Sequence, residues 1–515
     1  TLQGGLGNDN LYGDSGDDYF YASGGSDYVD GGSDGEITGD TIDFSQINAK
    51  IELTLGESGN ESKVLEGDAK TQTHTIINIE NITGSLDHEN TLRGNSQNNT
   101  LIGGNENDTL SGGNAGTNYL EGGLGVNTVD YSAISVLPTA QNLGITLNLN
   151  NSALQEVFTN SNGIIVRETL NNIQNVIGSS YKDVIRAKDG EDNVLNGGLG
   201  DDTFIASRGN DEFIGHENSI DVVDYTYAKD ALGNTIDLVV NINDGVQLIH
   251  ADYGTHTFSN INGLIGSDGN DILIGNNGQN TLIGGKGNDT LLGFGGSDYL
   301  DGGEGINTTS FAFTAVGVSV DLNNTEVQDT NAGTITIKNI QNVIGGAGND
   351  ILKGNSLNNT LSGGFGADTL YGSSGYNVLN GGLNGYEVDI SGAFNAGTTY
   401  SFTLNGQIIS ASAANKDDLL KALENAFNQN TTLSADSAIV KNGTKLFVET
   451  SHTLTPTNMT ADYKTFIDVA DYSHVSSSNG VTIDFVTPFD LSGQAYQVTD
   501  NANGGRDRLE NIEKQ

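Results

Sequence analysis

Apolar residues recur along most of the chain at intervals of nine, set between polar residues and glycine. One apolar residue in nine suits a short strand whose single inward side chain stacks on the same side chain of its neighbours. The pattern therefore predicts a coil in which turns and short strands alternate, with two nine-residue units in each coil. The apolar positions include Leu11, Leu101, Leu110, Leu273, Leu282, Leu291, Leu300, Leu352, Leu361 and Leu370.

The turn before the apolar residue has the form Gly-Gly-x-Gly-x-Asp in the clearest repeats, as in residues 4–9, and asparagine takes the sixth position in others. Glycine tolerates positive φ and close approach of neighbouring backbone, which tight stacked turns need. Such turns direct backbone carbonyls and the sixth-position carboxylates into the same space, and calcium prefers flexible coordination by oxygen. We therefore predict Ca²⁺ at the turns. The predicted metal ligands are Asp9, Asp18, Asp27, Asp108, Asp202, Asp211, Asp271, Asp289, Asp298, Asp350 and Asp368.

Sixth-position residues two units apart should share an edge of the coil, about one strand spacing of ~4.8 Å apart. We expect the edges that carry paired aspartates to bind calcium best. Edges with asparagine should bind it less well, or asparagine simply fills the turn there. The predicted aspartate pairs are Asp9 with Asp27, Asp271 with Asp289, and Asp350 with Asp368. The asparagines are Asn99, Asn280, Asn359 and Asn377.

These nonapeptides resemble the Gly-Gly-x-Gly-x-Asp repeats of the RTX proteins, and with the connecting segments the resemblance covers roughly residues 1–391 and 468–515. It implies secretion by a bacterial type I system, an extracellular or cell-surface location, and folding triggered by external calcium. The pattern departs from the family near Ala115, near Asp192 and between Gly215 and Asp221, so calcium binding is in doubt there.

A longer repeat encloses the nonapeptides. Runs of repeats end in an Asp-aromatic-Ser/Thr tripeptide such as Asp43-Phe44-Ser45, and a strand-like spacer follows. Each spacer ends in a phrase that opens with Asn-Ile, and the interval before the last phrase is about twice the others. We interpret the spacers as strands that continue the solenoid, although separate beads are the alternative. The phrases open at Asn78, Asn172, Asn260, Asn339 and Asn511.

The predicted fold class is mainly β: parallel β-roll or β-helix solenoid segments stacked into a rod, with one small inserted α+β domain. The chain opens inside a repeat, so we expect it to be a segment of a larger protein. The predicted divisions are β-rolls with spacers at 1–86, 87–179, 180–267 (degenerate) and 268–346, a β-roll at 347–391, the inserted domain at 392–467, and a spacer leading to a further repeat at 468–515.

The segment 392–467 lacks the nonapeptide pattern. Residues 400–410 indicate one or two strands, and the apolar spacing after Asn415 predicts a helix that runs to Phe427. Asn442-Gly443 lies between two strand-like runs and predicts a hairpin. The segment could bind a neighbour or a glycan, or it could be a spacer with its own core.

Composition narrows the possible partners. The chain has 66 acidic and 21 basic residues, a net charge of -45 and no cysteine. Repulsion of this size calls for bound cations in a compact chain, and we expect metal to stabilise the fold because disulfides cannot. Phosphates of nucleic acids or anionic lipids would be repelled, and no apolar run is long enough to span a membrane.

The sequence predicts no enzyme. None of the seven histidines forms the His-Glu-x-x-His motif of zinc proteases, and no nucleophile elbow or P-loop is present. Most acidic residues already have a place in the repeat, so they do not indicate a glycosidase pair.

Two functions compete. One is a calcium-dependent structural protein of the surface-layer, filament or adhesin-stalk type, which self-assembles with identical subunits and could contact cell-surface polysaccharide. The alternative is a non-catalytic secretion and folding module of a larger RTX toxin or secreted hydrolase.

Overall fold

The computed structural model describes residues 1–381 except 33–34, 58, 67–71, 136–142, 244 and 374–376, and after residue 381 it describes separate strands and a few further positions. The chain divides into two compact units. Unit 1 is Thr1–Ile236 with Asp244–Ile265, and unit 2 is Asp237–Asn243 with Gly266–Gln515. Among the described residues, no helix has the length and apolar character needed to cross a membrane.

Almost all of the described regular structure is strand. The first strands are β1 (Leu2–Gln3), β2 (Asn10–Tyr12), β3 (Tyr19–Tyr21), β4 (Tyr28–Asp30), β5 (Thr41–Asp43), β6 (Ile51–Thr54), β7 (Ser62–Glu66), β8 (Gln72–Ile77), β9 (Asn81–Thr83), β10 (Thr91–Arg93), β11 (Thr100–Gly104), β12 (Thr109–Ser111), β13 (Thr117–Gly123), β14 (Thr128–Asp130), β15 (Leu143–Asn148), β16 (Gln155–Thr159), β17 (Ile165–Asn171), β18 (Asn175–Ile177), β19 (Lys182–Arg186), β20 (Val194–Asn196), β21 (Thr203–Ile205), β22 (Glu212–Ile214), β23 (Val222–Asp224), β24 (Val239–Asn241), β25 (Val246–His250), β26 (Gly254–Ser259) and β27 (Gly263–Ile265). The later strands are β28 (Ile272–Ile274), β29 (Thr281–Ile283), β30 (Thr290–Leu292), β31 (Ser297–Asp301), β32 (Thr308–Ser310), β33 (Ser319–Asp321), β34 (Gln328–Asp329), β35 (Thr334–Lys338), β36 (Asn342–Ile344), β37 (Ile351–Lys353), β38 (Thr360–Ser362), β39 (Thr369–Tyr371), β40 (Val378–Asn380), β41 (Gly385–Asp389), β42 (Tyr400–Leu404), β43 (Gln407–Ala411), β44 (Ala438–Asn442), β45 (Lys445–Glu449), β46 (Leu454–Thr457), β47 (Thr460–Lys464), β48 (Val469–Ala470), β49 (Val481–Asp484), β50 (Ala495–Asp500) and β51 (Arg506–Glu510).

Unit 1 is a parallel β-roll. Two of its sheets have the orders β1-β3-β5-β9-β11-β13-β17-β16 and β2-β4-β8-β7-β6-β10-β12-β14-β18-β20-β22-β26-β25, and a third sheet begins β15-β19-β21-β23-β27. Successive strands alternate between sheets, so Leu11 pairs in register with Val29 and Phe20 pairs with Ile42. The prediction that two nonapeptides form one coil is confirmed.

Unit 2 repeats this architecture. One sheet has the order β24-β28-β30-β32-β36-β38-β40-β51-β50-β49, a second has the order β33-β37-β39-β48, and a further run is β29-β31-β35-β34. Leu273 stacks in register on Leu291, and Leu352 on Leu370. β40 pairs in parallel with β51, Val378 opposite Arg508, so this sheet continues across the long segment between them.

The core lies between the sheets and is built from the apolar residue of each nonapeptide. Leu101, Leu282 and Leu361 are fully buried, as are the other predicted core leucines except Leu11, which is half-buried. One apolar side chain per unit suffices because each is covered by its equivalents in the coils above and below.

The spacers belong to the rolls, as predicted. Each contributes one strand to a parallel sheet and one antiparallel hairpin: β7 with β8, β16 with β17, β25 with β26, and β34 with β35. The strands β6, β15, β24 and β33 pair in parallel with β10, β19, β28 and β37. The spacers are therefore packed structure and not flexible linkers.

The tripeptide that ends a run of repeats turns the chain out of the coil. In the first, the Asp43 carboxylate accepts the backbone N–H of Ser45 at 2.7 Å while Phe44 is fully buried. The same bond joins Asp130 to the N–H of Ser132. Two later sequences resemble this tripeptide, Asp389-Ile390-Ser391 and Asp471-Tyr472-Ser473; residues 390–391 and 471–473 lie outside the described residues.

The Asn-Ile phrase returns the chain from the spacer to the coil. Its opening asparagines Asn78, Asn172, Asn260 and Asn339 all have φ of 53°, a left-handed conformation that asparagine tolerates better than most residues. The phrase then enters β9, β18, β27 or β36. Each of these strands stacks on the strand that preceded the spacer, as β9 does on β5.

The segment 392–467 is described in part. β42 and β43 form an antiparallel pair, and so do β44 and β45, with Asn442 opposite Lys445; Gly443 of the predicted turn lies outside the described residues. Leu419 and residues 421–423 are helical, with Leu419 and Leu423 buried, and the rest of the predicted helix lies outside the described residues. β41 joins β45 and β47 in one antiparallel sheet. The seven-part division of the chain stays a prediction.

Candidate calcium-binding turns

Glycine shapes the turns for three different reasons. Gly285 and Gly287 have φ of 105° and 108°, which residues with a Cβ rarely adopt. The coils also approach closely, because a Cβ on Gly287 would lie 2.0 Å from the carbonyl oxygen of Gly269. Gly284 has no Cβ for a third reason: that atom would lie 2.3 Å from Asp289 Oδ2. The turn thus keeps clear the space beside the carboxylate.

Many sixth-position side chains use one oxygen to form a hydrogen-bond ladder along the edge of the roll. Asp289 Oδ1 accepts the backbone N–H of Asp271 at 2.8 Å, and Asp271 Oδ1 accepts that of Leu238 at 2.8 Å. The predicted aspartate pairs are therefore brought together, one coil apart. The same bond joins Asp9 N–H to Asp27 at 3.0 Å and Asp350 N–H to Asp368 at 2.8 Å.

The ladder places every predicted ligand on an edge, but not always above another aspartate. Asp18 N–H donates to Asp40, whereas Asp108 and Asp298 accept from Asn90 and Asn280. Nine of the eleven predicted carboxylates are buried, and Asp9 and Asp18 are half-buried. The buried ones are Asp27, Asp108, Asp202, Asp211, Asp271, Asp289, Asp298, Asp350 and Asp368.

The second carboxylate oxygen separates the aspartates into groups. In one group Oδ2 accepts a backbone N–H from its own turn, as Asp108 does from Gly104 at 2.6 Å and Asp350 from Gly346 at 2.8 Å. In another group, within the part of the chain that the structure describes, Oδ2 is buried and has no hydrogen-bond partner. This group contains Asp9, Asp202, Asp289 and Asp298.

Two predicted ligands meet a histidine from a spacer hairpin. Asp27 Oδ2 lies 3.4 Å from His74 Nδ1, and Asp211 Oδ2 lies 3.7 Å from His256 Nε2. Burial lowers the pKa of His256 to about 4, and its Nδ1 is bonded to the Tyr225 hydroxyl at 2.7 Å. His256 is therefore neutral at pH 7 and offers Asp211 no positive charge.

Burial dominates the electrostatics of the edges. It raises the pKa of Asp202 to about 8, with a further contribution from the carboxylates of Asp183 and Asp221. It raises the pKa of Asp289 and of Asp298 to about 7. A buried carboxylate oxygen without a donor loses hydration without compensation, so a bound cation would favour the ionised form of these groups. Orphaned oxygens with no nitrogen or sulfur among them suit calcium.

In turns with asparagine at the sixth position, the polar side-chain atoms form hydrogen bonds within and beside the turn. Asn99 Oδ1 accepts the N–H of Asn95 at 2.9 Å, and Asn99 Nδ2 donates to Asn95 Oδ1 at 3.1 Å and to Glu80 O at 2.8 Å. Asn276 with Asn280 forms the same reciprocal pair. In these two turns an asparagine replaces the second glycine of the repeat, and the turn needs no cation to balance its polar atoms.

Sequence reasoning missed two carboxylates in the roll that it took to be degenerate. Asp183 and Asp221 are fully buried, and they stack on either side of Asp202 through N–H bonds of 2.8 Å. These steps span 19 residues, so a strict nine-residue period passes over them. A search that allowed one extra residue per coil would have found this column of three aspartates.

Comparison with known families agrees with this geometry. The pattern of the RTX calcium-binding nonapeptide repeat, four copies long, matches residues 2–35, 86–114, 94–129, 177–213, 262–291, 274–308 and 343–383. No curated protein matches the chain. The matched segments contain the glycine turns, the stacked sixth-position side chains and the buried leucines described above. These segments of the chain are therefore RTX calcium-binding nonapeptide repeats.

Proposed function

We propose that the chain is a calcium-dependent extracellular structural protein, of the surface-layer, filament or adhesin-stalk kind, whose rolls fold and assemble when calcium binds. The observation that carries the proposal is the column of Asp183, Asp202 and Asp221, in which buried carboxylates lie one coil apart and Asp202 Oδ2 has no donor among the described residues. Cations bound along such columns would offset the net charge of -45.

The proposed mechanism couples binding to folding. Without calcium, the stacked carboxylates repel one another and lose their hydration on burial, so the coil is unfavourable. Calcium binds the assembled turns but not the extended chain, and therefore shifts the equilibrium towards the roll. Extracellular calcium modules bind at roughly 0.1–1 mM. A chain tuned to that range stays unfolded inside a bacterium and folds after type I secretion.

The Asp turns and the Asn turns would have different roles in stabilising the roll. Calcium would act where Oδ2 lacks a donor, as at Asp289 and Asp298. Turns such as Asn95 to Asn99 close without it and would hold the ladder between ion-dependent steps. This arrangement supports the expectation that aspartate edges bind calcium better than asparagine edges.

Assembly with identical subunits, contact with cell-surface polysaccharide and the absence of catalysis are parts of this proposal. Electron microscopy of the purified chain in 5–10 mM calcium, roughly tenfold above the binding range, and then in excess chelator, tests it. Sheets or filaments that dissolve in chelator support the structural role. Monomers that show only a change in circular dichroism would favour the folding module of a larger RTX toxin or hydrolase. A chain that neither binds calcium nor changes its fold contradicts both.

A further inference from the structure

Three carboxylates converge where the first spacer rejoins the roll, and only one of them, Asp40, belongs to the hydrogen-bond ladder. One ligand atom from each of Glu36, Asp40 and Glu80 lies within 4.8 Å of the others. Asp40 and Glu80 are buried, and Glu36 is partly buried. Like charges this close are unfavourable at neutral pH unless something neutralises them.

The backbone around the cluster is fixed by other groups. Asp17 accepts the N–H groups of Ile37, Thr38 and Gly39 at 2.7, 3.1 and 3.2 Å, which holds the loop that carries Glu36. Asn81 Nδ2 donates to the carbonyl oxygen of Thr38 at 3.0 Å. Asp17 and Asn81 therefore hold the backbone of residues 37–39.

Asp40 supplies the observation that points to a ligand. Its Oδ1 accepts the N–H of Asp18 at 2.6 Å, as the ladder requires. Its Oδ2 is buried and has no hydrogen-bond partner among the described residues, and the whole residue is 0% exposed. The Asn78 carbonyl oxygen lies on the same side, since it and Asp40 Oδ2 are each 2.1 Å from the position a Cβ on Gly31 would take. The Asn78 carbonyl oxygen is therefore a candidate neutral ligand beside Asp40.

The other spacers show that the ladder itself does not need these charges. At each return point the third residue of the Asn-Ile phrase accepts the backbone N–H of the last sixth-position residue. Glu80 does this for Asp40 at 2.8 Å. Gln174 serves Asn127 at 2.8 Å and Gln341 serves Asn307 at 2.7 Å, with neutral residues on both sides. At the third return point Asn262 accepts the backbone N–H of Asp221 at 2.7 Å, so only one residue of that pair is acidic.

We propose that Glu36, Asp40 and Glu80 form a separate calcium site that joins the first spacer to the roll. Glu36 and Asp40 come from one loop and Glu80 comes from the phrase about forty residues later, so one ion would join the loop to the returning chain. All the ligand atoms are oxygen, and two or three carboxylates with a carbonyl suit Ca²⁺. The inference rests on the proposed function only in taking calcium to be present around the protein.

The test is Glu80→Gln in the full chain, which installs the residue that the second spacer already uses. Glutamine keeps the hydrogen bond to Asp40 N–H and removes one charge. Glu36→Gln is the second variant, because Glu36 supplies no step of the ladder. Glu61→Gln is the matched control, since Glu61 is an exposed acid of the same spacer outside the cluster. Equilibrium dialysis against radioactive calcium gives the number of ions bound per chain.

We expect both cluster variants to bind about one ion fewer per chain, with an unchanged circular-dichroism spectrum in saturating calcium, and the control to bind the full number. The inference is overturned if Glu80→Gln and Glu36→Gln bind as many ions as the parent chain, or if the control loses the same amount. Failure of the proposed function looks different, because the parent chain itself would then bind no calcium.

Discussion

Replacement of Asp202 by Asn separates the two roles that a buried edge carboxylate plays. Asp202 is 0% exposed, and burial raises its pKa from 3.8 to about 8. At pH 7 the unfolded chain carries this group ionised, whereas the calcium-free roll must protonate it. Because pH 7 lies about three units above the unfolded-state pKa of this group, protonating it on folding costs at most about 4 kcal/mol of folding free energy.

Asp202→Asn removes that cost and keeps the ladder, because the amide oxygen still accepts Asp183 N–H. The new Nδ2 lacks the reciprocal asparagine found at Asn95, since residue 198 is glycine. An unsatisfied amide costs about 1–3 kcal/mol. The calcium-free variant should therefore be more stable by about 1–3 kcal/mol. In calcium it should be less responsive, since loss of one site occupied at a hundred times its Kd removes about 2.7 kcal/mol.

The measurement is folding of the calcium-free chain at pH 7 with trimethylamine N-oxide, a stabilising osmolyte, followed by far-ultraviolet circular dichroism. Asp202→Asn should fold at lower osmolyte concentration than the parent, and should then gain less from added calcium. Asp252→Asn makes the same chemical change at an exposed position and should shift neither midpoint. A variant that is destabilised equally with and without calcium would refute the reasoning, because the carboxylate would then be a structural partner and not an ion ligand.

Three further outcomes follow from the same edges. The calcium-free fold should lose stability as pH rises from about 4 to 8 and should level off above that. The raised pKa values of Asp202, Asp289 and Asp298 mean that the folded state holds protons that the unfolded chain has released. Osmolyte folding midpoints across this range check the sign, and a rise in stability with pH would contradict it. Asn99→Asp should destabilise the calcium-free chain by about 1–3 kcal/mol, because it turns a carboxylate oxygen towards Glu80 O and Asn95 Oδ1; local hydrogen exchange of β11 reports it, and unchanged exchange would count against the neutral role of this turn. Asn172→Ala should cost about 1–3 kcal/mol for its φ of 53°, whereas Asn172→Gly should cost less; equal losses in thermal unfolding would show that the side chain, and not the backbone conformation, matters.

The repeating part of the fold was predictable because every coil obeys the same local rule. A nine-residue period with one apolar residue fixes strand spacing and register, so Leu273 over Leu291 and Asp271 beside Asp289 follow from counting. The edge residues were harder where the period changes. Asp183 and Asp221 lie on 19-residue steps, and Asp40 follows an insertion that breaks the pattern of its turn.

The contacts that spacers make with the edges could not be read from spacing. His74, Glu168 and His256 come from hairpins and stack on ladder residues more than forty positions away, as the 47-residue separation between Asp27 and His74 shows. Burial raises the pKa of Glu168 to about 7, and its Oε2 accepts the Tyr131 hydroxyl. Such partners depend on how a hairpin folds back, and a periodic pattern holds no information about that.

The way spacers rejoin the rolls bears on how a chain like this can lengthen. β40 lies beside β51 in the same sheet, with Val378 opposite Arg508, although more than a hundred residues separate them. Longer excursions cost little entropy, about 0.6 kcal/mol for each doubling of a flexible loop. Any sequence that leaves through a closing tripeptide and returns through an Asn-Ile phrase preserves the hydrogen bonds of the coils on either side. The return points are therefore ready-made insertion sites, at which a new domain can be acquired without redesign of the scaffold.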